Sequence, residues 1–77
     1  MRLEIVSPEK IIYTGDAESV TLPGLVGSFT ILNRHAPIIS VLDKGKVTYK
    51  VKGLDTEMMV NGGFVEAKKN VVSVCID

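Results

Sequence analysis

The 77-residue sequence has few of the residues on which small reactive or cross-linked domains depend. Its single cysteine, Cys75, excludes a disulfide scaffold or a multi-cysteine zinc site within the chain. Its single histidine, His35, excludes a multi-histidine metal site, and we expect no metal and no cofactor. Nine basic residues balance nine acidic ones, and this zero net charge argues against nucleic acid as the main partner.

Long apolar runs are absent as well. No window reaches the roughly 18 consecutive apolar residues of a membrane-spanning helix, and residues 1–5 carry no run typical of a signal peptide. We therefore expect a protein that stays in the cytoplasm or faces it.

The only Gly-Lys pair, Gly45-Lys46, lacks the upstream glycine of a triphosphate-binding loop. The acidic residues lie at turns or at alternating polar positions, so the sequence predicts no catalytic site.

Branched aliphatic side chains dominate what is present, since Val and Ile total 18 whereas Ala and Leu total nine. Such side chains favour strands over helices. Residues 46–52 alternate apolar and polar side chains, which predicts a strand with one buried face, a turn at 53–55 and a returning strand at 57–60. Residues 64–67 and 71–76, around a polar turn at 68–70, predict a second hairpin. Further strands are predicted at residues 3–6, 10–13, 18–22, 28–32 and 38–42.

Apolar residues nowhere recur at helical spacing over ten or more positions. The sequence therefore predicts an all-β fold, a flattened β-sandwich or barrel of roughly eight to ten short strands in a single domain spanning residues 1–77. A domain of this size buries only about 60% of its unfolded surface. A bound partner is the expected source of additional stability.

The turn at Asp43-Lys44-Gly45 has two interpretations. Lipoyl carrier domains are flattened β-barrels of similar size that modify a lysine in an Asp-Lys pair at a hairpin tip, which would make Lys44 the modified residue. The alternative is a polar turn in which Asp43 caps the bend and Gly45 adopts a positive φ. An oligonucleotide-binding barrel is a third hypothesis, but two Phe and two Tyr at zero net charge supply neither stacking platforms nor a basic groove.

Asn33-Arg34-His35 form a predicted exposed connection between two apolar strands, and Pro37 presets the chain direction after it. His35 either contacts a partner or makes a hydrogen bond within the turn. The residues alone leave both interpretations open.

His35-Ala36-Pro37 is followed by two aliphatic residues, and Gly62-Gly63 by Phe, Val and Glu. With these motifs the sequence resembles the epsilon subunit of F-type ATP synthases, called delta in mitochondria. Similar stretches at residues 3–8, 16–24 and 71–74 extend the resemblance over the whole chain. Two positions depart from the family pattern: Asn33-Arg34 replaces Pro-Gly, and Phe29-Thr30 stands where a glycine is usual.

The resemblance implies a non-catalytic subunit of the central stalk, which binds the gamma subunit and the membrane-embedded ring of c subunits and couples proton transport to ATP synthesis. It implies contact with gamma at Ser7, Arg34, His35 and Ser40, and contact with the c-ring at Leu25, Val26, Gly27 and Ser28. It also implies a peripheral position on the cytoplasmic face of the bacterial inner membrane, held there only through the complex.

Family members generally continue beyond the sandwich into two α-helices, which bind nucleotide and block rotation in the hydrolysis direction. The sequence ends at Asp77, directly after the last predicted strand. We therefore expect this 77-residue chain to bind no ATP and to couple without inhibiting hydrolysis.

Overall fold

The computed structural model describes all residues 1–77 and contains nine β-strands and no helix. The strands are β1 (Arg2–Val6), β2 (Ile11–Asp16), β3 (Ser19–Gly24), β4 (Gly27–Leu32), β5 (Ile38–Leu42), β6 (Gly45–Val51), β7 (Leu54–Val60), β8 (Gly63–Lys68) and β9 (Val71–Ile76). The predicted all-β fold and strand number are confirmed. A helix able to cross a membrane is not found.

The strands form two layers that join at one corner. One layer has the order β2-β1-β9-β8-β5 and is called the five-stranded sheet; the other has the order β4-β3-β6-β7 and is called the four-stranded sheet. Only the pair Gly24–Leu42, between β3 and β5, connects them. β1 and β9 pair in parallel, so the first and last strands lie side by side within the five-stranded sheet, with residue 1 and Asp77 at its opposite ends.

The inner faces of the two sheets supply a single core of aliphatic side chains. The five-stranded sheet contributes Leu3, Ile5, Leu42, Val65, Ala67, Val72, Val74 and Ile76, and the four-stranded sheet contributes Val20, Leu22, Ile31, Val47, Tyr49 and Val60. Tyr13 of β2 packs on Tyr49 of β6 with ring centroids 4.8 Å apart, which closes the sandwich on the side away from the shared corner. The alternation in residues 46–52 therefore predicts the buried face correctly, and in residues 71–76 the side that shares Val72, Val74 and Ile76 is the buried one.

All strands run between two ends of the sandwich. The upper end carries residue 1 and the connections at 17–18, 33–37, 52–53 and 69–70. The lower end carries the connections at 7–10, 25–26, 43–44 and 61–62, together with Asp77. These two ends are about 16 Å apart, the length of a five-residue strand.

Two hairpin turns are tighter than predicted. The β6–β7 turn consists of Lys52 and Gly53 rather than residues 53–55, because both adopt positive φ (51° and 78°) and close a two-residue loop. β7 therefore begins at Leu54. The β8–β9 turn similarly uses Lys69 and Asn70, with φ of 52° and 59°.

Gly63, at the start of β8, allows β8 to approach β9 closely. A Cβ atom at this position would lie 2.1 Å from the carbonyl oxygen of Cys75, and the φ of Gly63 is +144°. No other residue fits both the backbone angle and the space. This glycine sets where the side chains of β8 point, beginning with Phe64.

Candidate partner-binding site

An apolar row crosses the outer face of the five-stranded sheet near its lower end. It consists of five cross-strand neighbours, Val41, Phe64, Cys75, Val6 and Ile11, one from each strand. Val41, Phe64 and Ile11 are 58%, 50% and 67% exposed, and the other two are half-buried. With strands spaced by about 4.8 Å, the row is about 19 Å long. An exposed apolar surface of this kind, continuous across five strands, is typical of a binding site.

Above the apolar row, the same face becomes mostly polar. The next row contains Glu66, Ser73 and Glu4, with the exposed Ile39 as its only large apolar side chain. The Arg2 guanidinium Nε lies 3.9 Å from Glu4 Oε2, and both side chains are about half exposed. A pair so open to solvent contributes little to stability.

The outer face of the four-stranded sheet is polar over most of its width. Thr30, Thr21 and Thr48 are cross-strand neighbours on β4, β3 and β6, and Glu57 of β7 continues the row. The hydroxyl oxygens of Thr21 and Thr30 are 2.8 Å apart, and one donates to the other. Two large apolar side chains on this face, Leu32 and Met59, are 60% and 70% exposed. They lie on its two edge strands, β4 and β7, with polar residues between them, so they form no continuous apolar surface.

Ser7, predicted to contact gamma, lies at the lower end and adjoins the apolar row. It follows β1 directly, and with Val6, Phe64 and Cys75 it lines a shallow depression at the end of the sheet. Its hydroxyl lies 3.4 Å from the carbonyl oxygen of Lys10, which accepts its hydrogen bond across the β1–β2 turn.

Arg34 and His35 lie at the upper end, on the opposite side of the domain from Ser7. Arg34 is exposed, has a φ of 59°, and its backbone N–H donates to Asn70 Oδ1 over 2.9 Å. The left-handed angle explains why a glycine would suit this position. Asn33 Oδ1 accepts a hydrogen bond from the nitrogen of Met1, which ties the connection to the start of β1.

His35 is half-buried and participates in its own turn. Its Nδ1 lies 3.1 Å from the carbonyl oxygen of Ala36, which can only accept, so Nδ1 carries the proton. In the neutral ring Nε2 is then an acceptor, and this atom is buried without a hydrogen-bond partner. The turn hydrogen bond is therefore present, and the second ring nitrogen is free to accept a hydrogen bond from another donor.

Ser40 is a half-buried residue in the middle of β5. Its side chain is on the inner side of the strand, whereas those of its exposed neighbours Ile39 and Val41 are on the outer side. Its hydroxyl lies 3.2 Å from the carbonyl oxygen of the next residue. The four residues predicted to contact gamma thus occupy both ends and one edge of the five-stranded sheet, and they do not form one cluster.

The four residues predicted to contact the c-ring do lie together, at the β3–β4 hairpin tip. Leu25 and Val26 form its two-residue loop and are 63% and 104% exposed. Gly24 and Gly27 close the loop as cross-strand partners, and Ser28 is exposed on the first residue pair beyond it. The exposed side chains of Leu25 and Val26 thus form a second apolar surface, at the lower end of the sandwich.

The turn that carries Lys44 is a polar turn, with one difference from the predicted geometry. Asp43 Oδ1 accepts a hydrogen bond of 2.8 Å from the Lys44 backbone N–H, as expected for a capping aspartate. Gly45 does not adopt a positive φ. Glycine is required there by space, because a Cβ would lie 2.7 Å from Pro23 Cβ.

Clusters of metal-ligating side chains are not found. No group of three or more His, Cys, Asp or Glu side chains could hold a metal ion. Cys75 is half-buried in the apolar row, where the sequence predicted a small hydrophobic residue.

The sequence patterns did not identify the apolar row as a site. An alternating pattern identifies the buried face of a strand only where the other face is polar. β5 and β8 carry apolar residues on both faces; in β5, for example, Ile39 and Val41 are on the outer face and Leu42 is on the inner face. The available signal was Phe64, a large aromatic residue at the position alternate to the buried Val65. Recognising the whole row also required the non-local pairing of β9 with β1.

Comparison with known proteins gives a consistent family. The family model for the ATP synthase, Delta/Epsilon chain, beta-sandwich domain matches residues 1–77. ATP synthase epsilon chains from Leptospira borgpetersenii and Leptospira interrogans are 38% and 40% identical over 100% of this chain. The chain spans 61% of the length of these curated relatives.

Two solved structures share the fold. One is the central stalk and c-ring of the Tetrahymena thermophila mitochondrial ATP synthase, with a TM-score of 0.84 at 20% identity, covering 97% of this chain and 61% of that one. The other is the Euglena gracilis mitochondrial ATP synthase, with a TM-score of 0.91 at 18% identity, covering 96% of this chain and 48% of that one. At such identities the likeness concerns the fold alone. Because the family model and the bacterial relatives cover the whole chain, it belongs to the ATP synthase delta/epsilon chain β-sandwich domain family.

Proposed function

We propose that this domain is a non-catalytic component of the central stalk of a rotary ATP synthase. In this role it binds the gamma subunit and the ring of c subunits, and couples proton transport to ATP synthesis. The observation that carries the proposal is the apolar row, whose exposed Val41, Phe64 and Ile11 have no role in the domain's own core. Family membership supplies the identity of the complex.

The apolar row is the proposed centre of the gamma interface. A face with exposed aromatic and aliphatic side chains at its middle and polar residues around it has the anatomy of a stable protein interface. Ser7 adjoins this row at the lower end. Arg34 and His35 would contact gamma at the upper end, where a donor from gamma would satisfy the buried Nε2 of His35.

The β3–β4 hairpin tip is the proposed contact with the c-ring. Leu25 and Val26 project from the lower end, and Gly27 and Ser28 continue the same hairpin. With gamma on the outer face and the ring at the lower end, one small domain would connect the two. The domain would then lie on the cytoplasmic face of a bacterial inner membrane, associated with it only through the complex.

The lipoyl carrier hypothesis is not retained. The family match includes Lys44 and assigns the whole chain to another family. In addition, Asp43 is engaged in a turn hydrogen bond with the backbone of Lys44, which accounts for the Asp-Lys pair without a modified side chain.

The proposal is tested by mixing the chain with the gamma subunit of the same organism. Size-exclusion chromatography at micromolar concentration is expected to give co-elution in a one-to-one complex. Two variants distinguish specific from non-specific binding: Phe64→Ser on the apolar row should weaken co-elution with gamma, and Thr48→Ser on the polar outer face should not. Co-elution that is absent for the unmodified chain, or equally strong for both variants, would contradict the proposed interface.

A separate experiment tests the c-ring contact. The complex with gamma is incubated with detergent-purified c-ring, and binding is compared for the unmodified chain and for Leu25→Ser with Val26→Ser. We expect weaker ring binding by the double variant, with unchanged gamma binding. Unchanged ring binding would rule out the tip as the contact.

A further inference from the structure

The last strand of the four-stranded sheet, β7, is a free edge. Of its seven residues, Leu54–Val60, only Val60 is buried, and Leu54 and Met59 are 75% and 70% exposed. It pairs with β6 along its whole length without a register shift. It contains no proline and no bulge, and its only charged residues, Asp55 and Glu57, are both acidic.

Two of the other free edges, β2 and β5, are interrupted or shortened. β2 has a register irregularity against β1, and the hydroxyl of Tyr13 donates to the carbonyl oxygen of Asp16 on the same strand. β5 is short and follows Pro37 directly. β4 has neither a proline nor a charged residue, but its inward Ile31 is already covered, so an added strand would bury little apolar surface there. β7 is therefore the edge most open to a further strand.

The backbone groups that β7 offers follow from its hairpin. Val51 and Leu54 flank a two-residue turn and therefore exchange both of their backbone hydrogen bonds. Hydrogen-bonding direction alternates along a strand, so the N–H and C=O groups of Asp55, Glu57 and Met59 point away from β6. These groups form an unpaired ladder about 13 Å long.

Charge on the outer face specifies what an added strand would carry. β6 presents Lys46 and Lys50, and β7 presents Asp55 and Glu57 beside them. Lys46 Nζ lies 3.4 Å from Glu57 Oε2, with both side chains about half exposed. Because opposite charges favour each other on neighbouring strands and like charges do not, the next strand should carry basic residues on this face.

The inner side of β7 specifies the alternate residues. Met58 is half-buried, Thr56 is exposed and Leu54 is mostly exposed, although all three point to the same side as the buried Val60. The opposite sheet does not reach far enough to cover them. An added strand would extend this side with apolar residues and bury part of it.

We propose that β7 binds, by strand addition, an extended segment of another protein in which basic and apolar residues alternate. A second copy of this chain is a poorer occupant. Antiparallel self-pairing over the full strand, with Leu54 opposite Val60, places Glu57 opposite Glu57 of the second copy. The proposal rests on the β7 edge and is independent of the apolar row and of the proposed stalk function.

The test uses the 77-residue chain, labelled with 15N, and three end-blocked seven-residue peptides. The first alternates lysine with valine, the second alternates glutamate with valine, and the third has the composition of the first with its lysines in one block. The lysine–valine peptide is expected to slow amide exchange at Asp55, Glu57 and Met59. We expect it to bind about fivefold more tightly than either of the other two, because two opposite-charge cross-strand pairs form.

A charge-reversed variant makes the result decisive. Asp55→Lys combined with Glu57→Lys keeps the strand and its backbone ladder, and should reverse the preference toward the glutamate–valine peptide. Peptide effects confined to β2, β4 or the apolar row, an unchanged preference in the variant, or absence of binding at millimolar peptide would overturn the proposal. Dimerisation of the unmodified chain with protection of the same three amides would replace the proposed partner by a second copy.

Discussion

The outer faces of the two sheets differ sharply, although their inner faces build one core. The five-stranded sheet exposes the continuous apolar row with Val41, Phe64 and Ile11, whereas on the four-stranded sheet the exposed Leu32 and Met59 are separated by threonines and charged residues. The core is built from the inner faces, so the outer faces are freer to differ. Their difference supports the proposal that the five-stranded sheet, rather than the four-stranded one, binds a partner.

The largest effect on stability is expected at Gly63, which sets the position of β8 against β9 and therefore of Phe64 in the apolar row. Gly63→Ala would place a methyl group against the carbonyl oxygen of Cys75 and impose a left-handed φ on alanine. We expect a loss of unfolding free energy of about 3–5 kcal/mol, measured by urea denaturation. Gly27→Ala is the matched control, since its φ is +129° but a Cβ there meets nothing within 4 Å. If both variants lost the same unfolding free energy, the clash between the new methyl group and β9 would contribute nothing to the effect of Gly63→Ala.

A smaller effect should separate the inner and outer sides of β8. Val65 is completely buried, and truncation to alanine should cost about 2–3 kcal/mol of stability through lost burial and the remaining cavity. Its neighbour Phe64 is 50% exposed, and Phe64→Ala should cost less than about 1.5 kcal/mol in the isolated chain. Thermal and urea unfolding of both variants measure the difference. If Phe64→Ala cost as much as Val65→Ala, the apolar row would belong to the domain's own stability.

On the polar outer face, the expected effect is smaller again. Thr30→Val removes one partner of the hydroxyl pair with Thr21, at 2.8 Å, and should reduce stability by about 0.5–1 kcal/mol. Thr48→Val, whose hydroxyl has no such pairing, is the control and should be nearly neutral. A loss above about 2 kcal/mol at Thr30 would contradict the description of this face as simply solvated.

The smallest effect should be a gain, at the β8–β9 turn. Lys69 adopts a φ of 52°, which glycine tolerates without strain. Because glycine also adds entropy to the unfolded chain, Lys69→Gly is expected to stabilise the domain by at most about 0.5 kcal/mol. Lys68→Gly, one residue earlier within β8, is the matched control and should destabilise it. Destabilisation by both variants would show that chain entropy outweighs the strain at Lys69.

The fold class could be predicted from strands that have one face in the core and one face outside it. Residues 46–52 and 71–76 alternate regularly because each has one face in the core, and this pattern does not depend on which strand lies next to it. The turn lengths could not be predicted in the same way. Lys52 and Lys69 occupy left-handed positions that lysine does not favour, so composition placed the first turn one residue too late.

The site was less predictable than the fold for a physical reason. The apolar row exists only because β9 inserts between β1 and β8, which brings Cys75 between Val6 and Phe64. Parallel pairing of the two ends of a chain leaves no local signal in the sequence. The hairpin tip with Leu25 and Val26, by contrast, is a local feature, and the residues predicted there do lie together.

The affinity of the chain for the gamma subunit, measured by titration calorimetry for matched variants of the two outer faces, tests the central claim most directly. Phe64→Ser on the apolar row should weaken binding about tenfold, because it removes a half-exposed aromatic side chain that the partner would cover. Thr48→Ser on the other face should leave the affinity unchanged within about twofold. Equal affinities for the two variants, or a loss confined to Thr48→Ser, would contradict the assignment of the five-stranded sheet as the face that binds a partner.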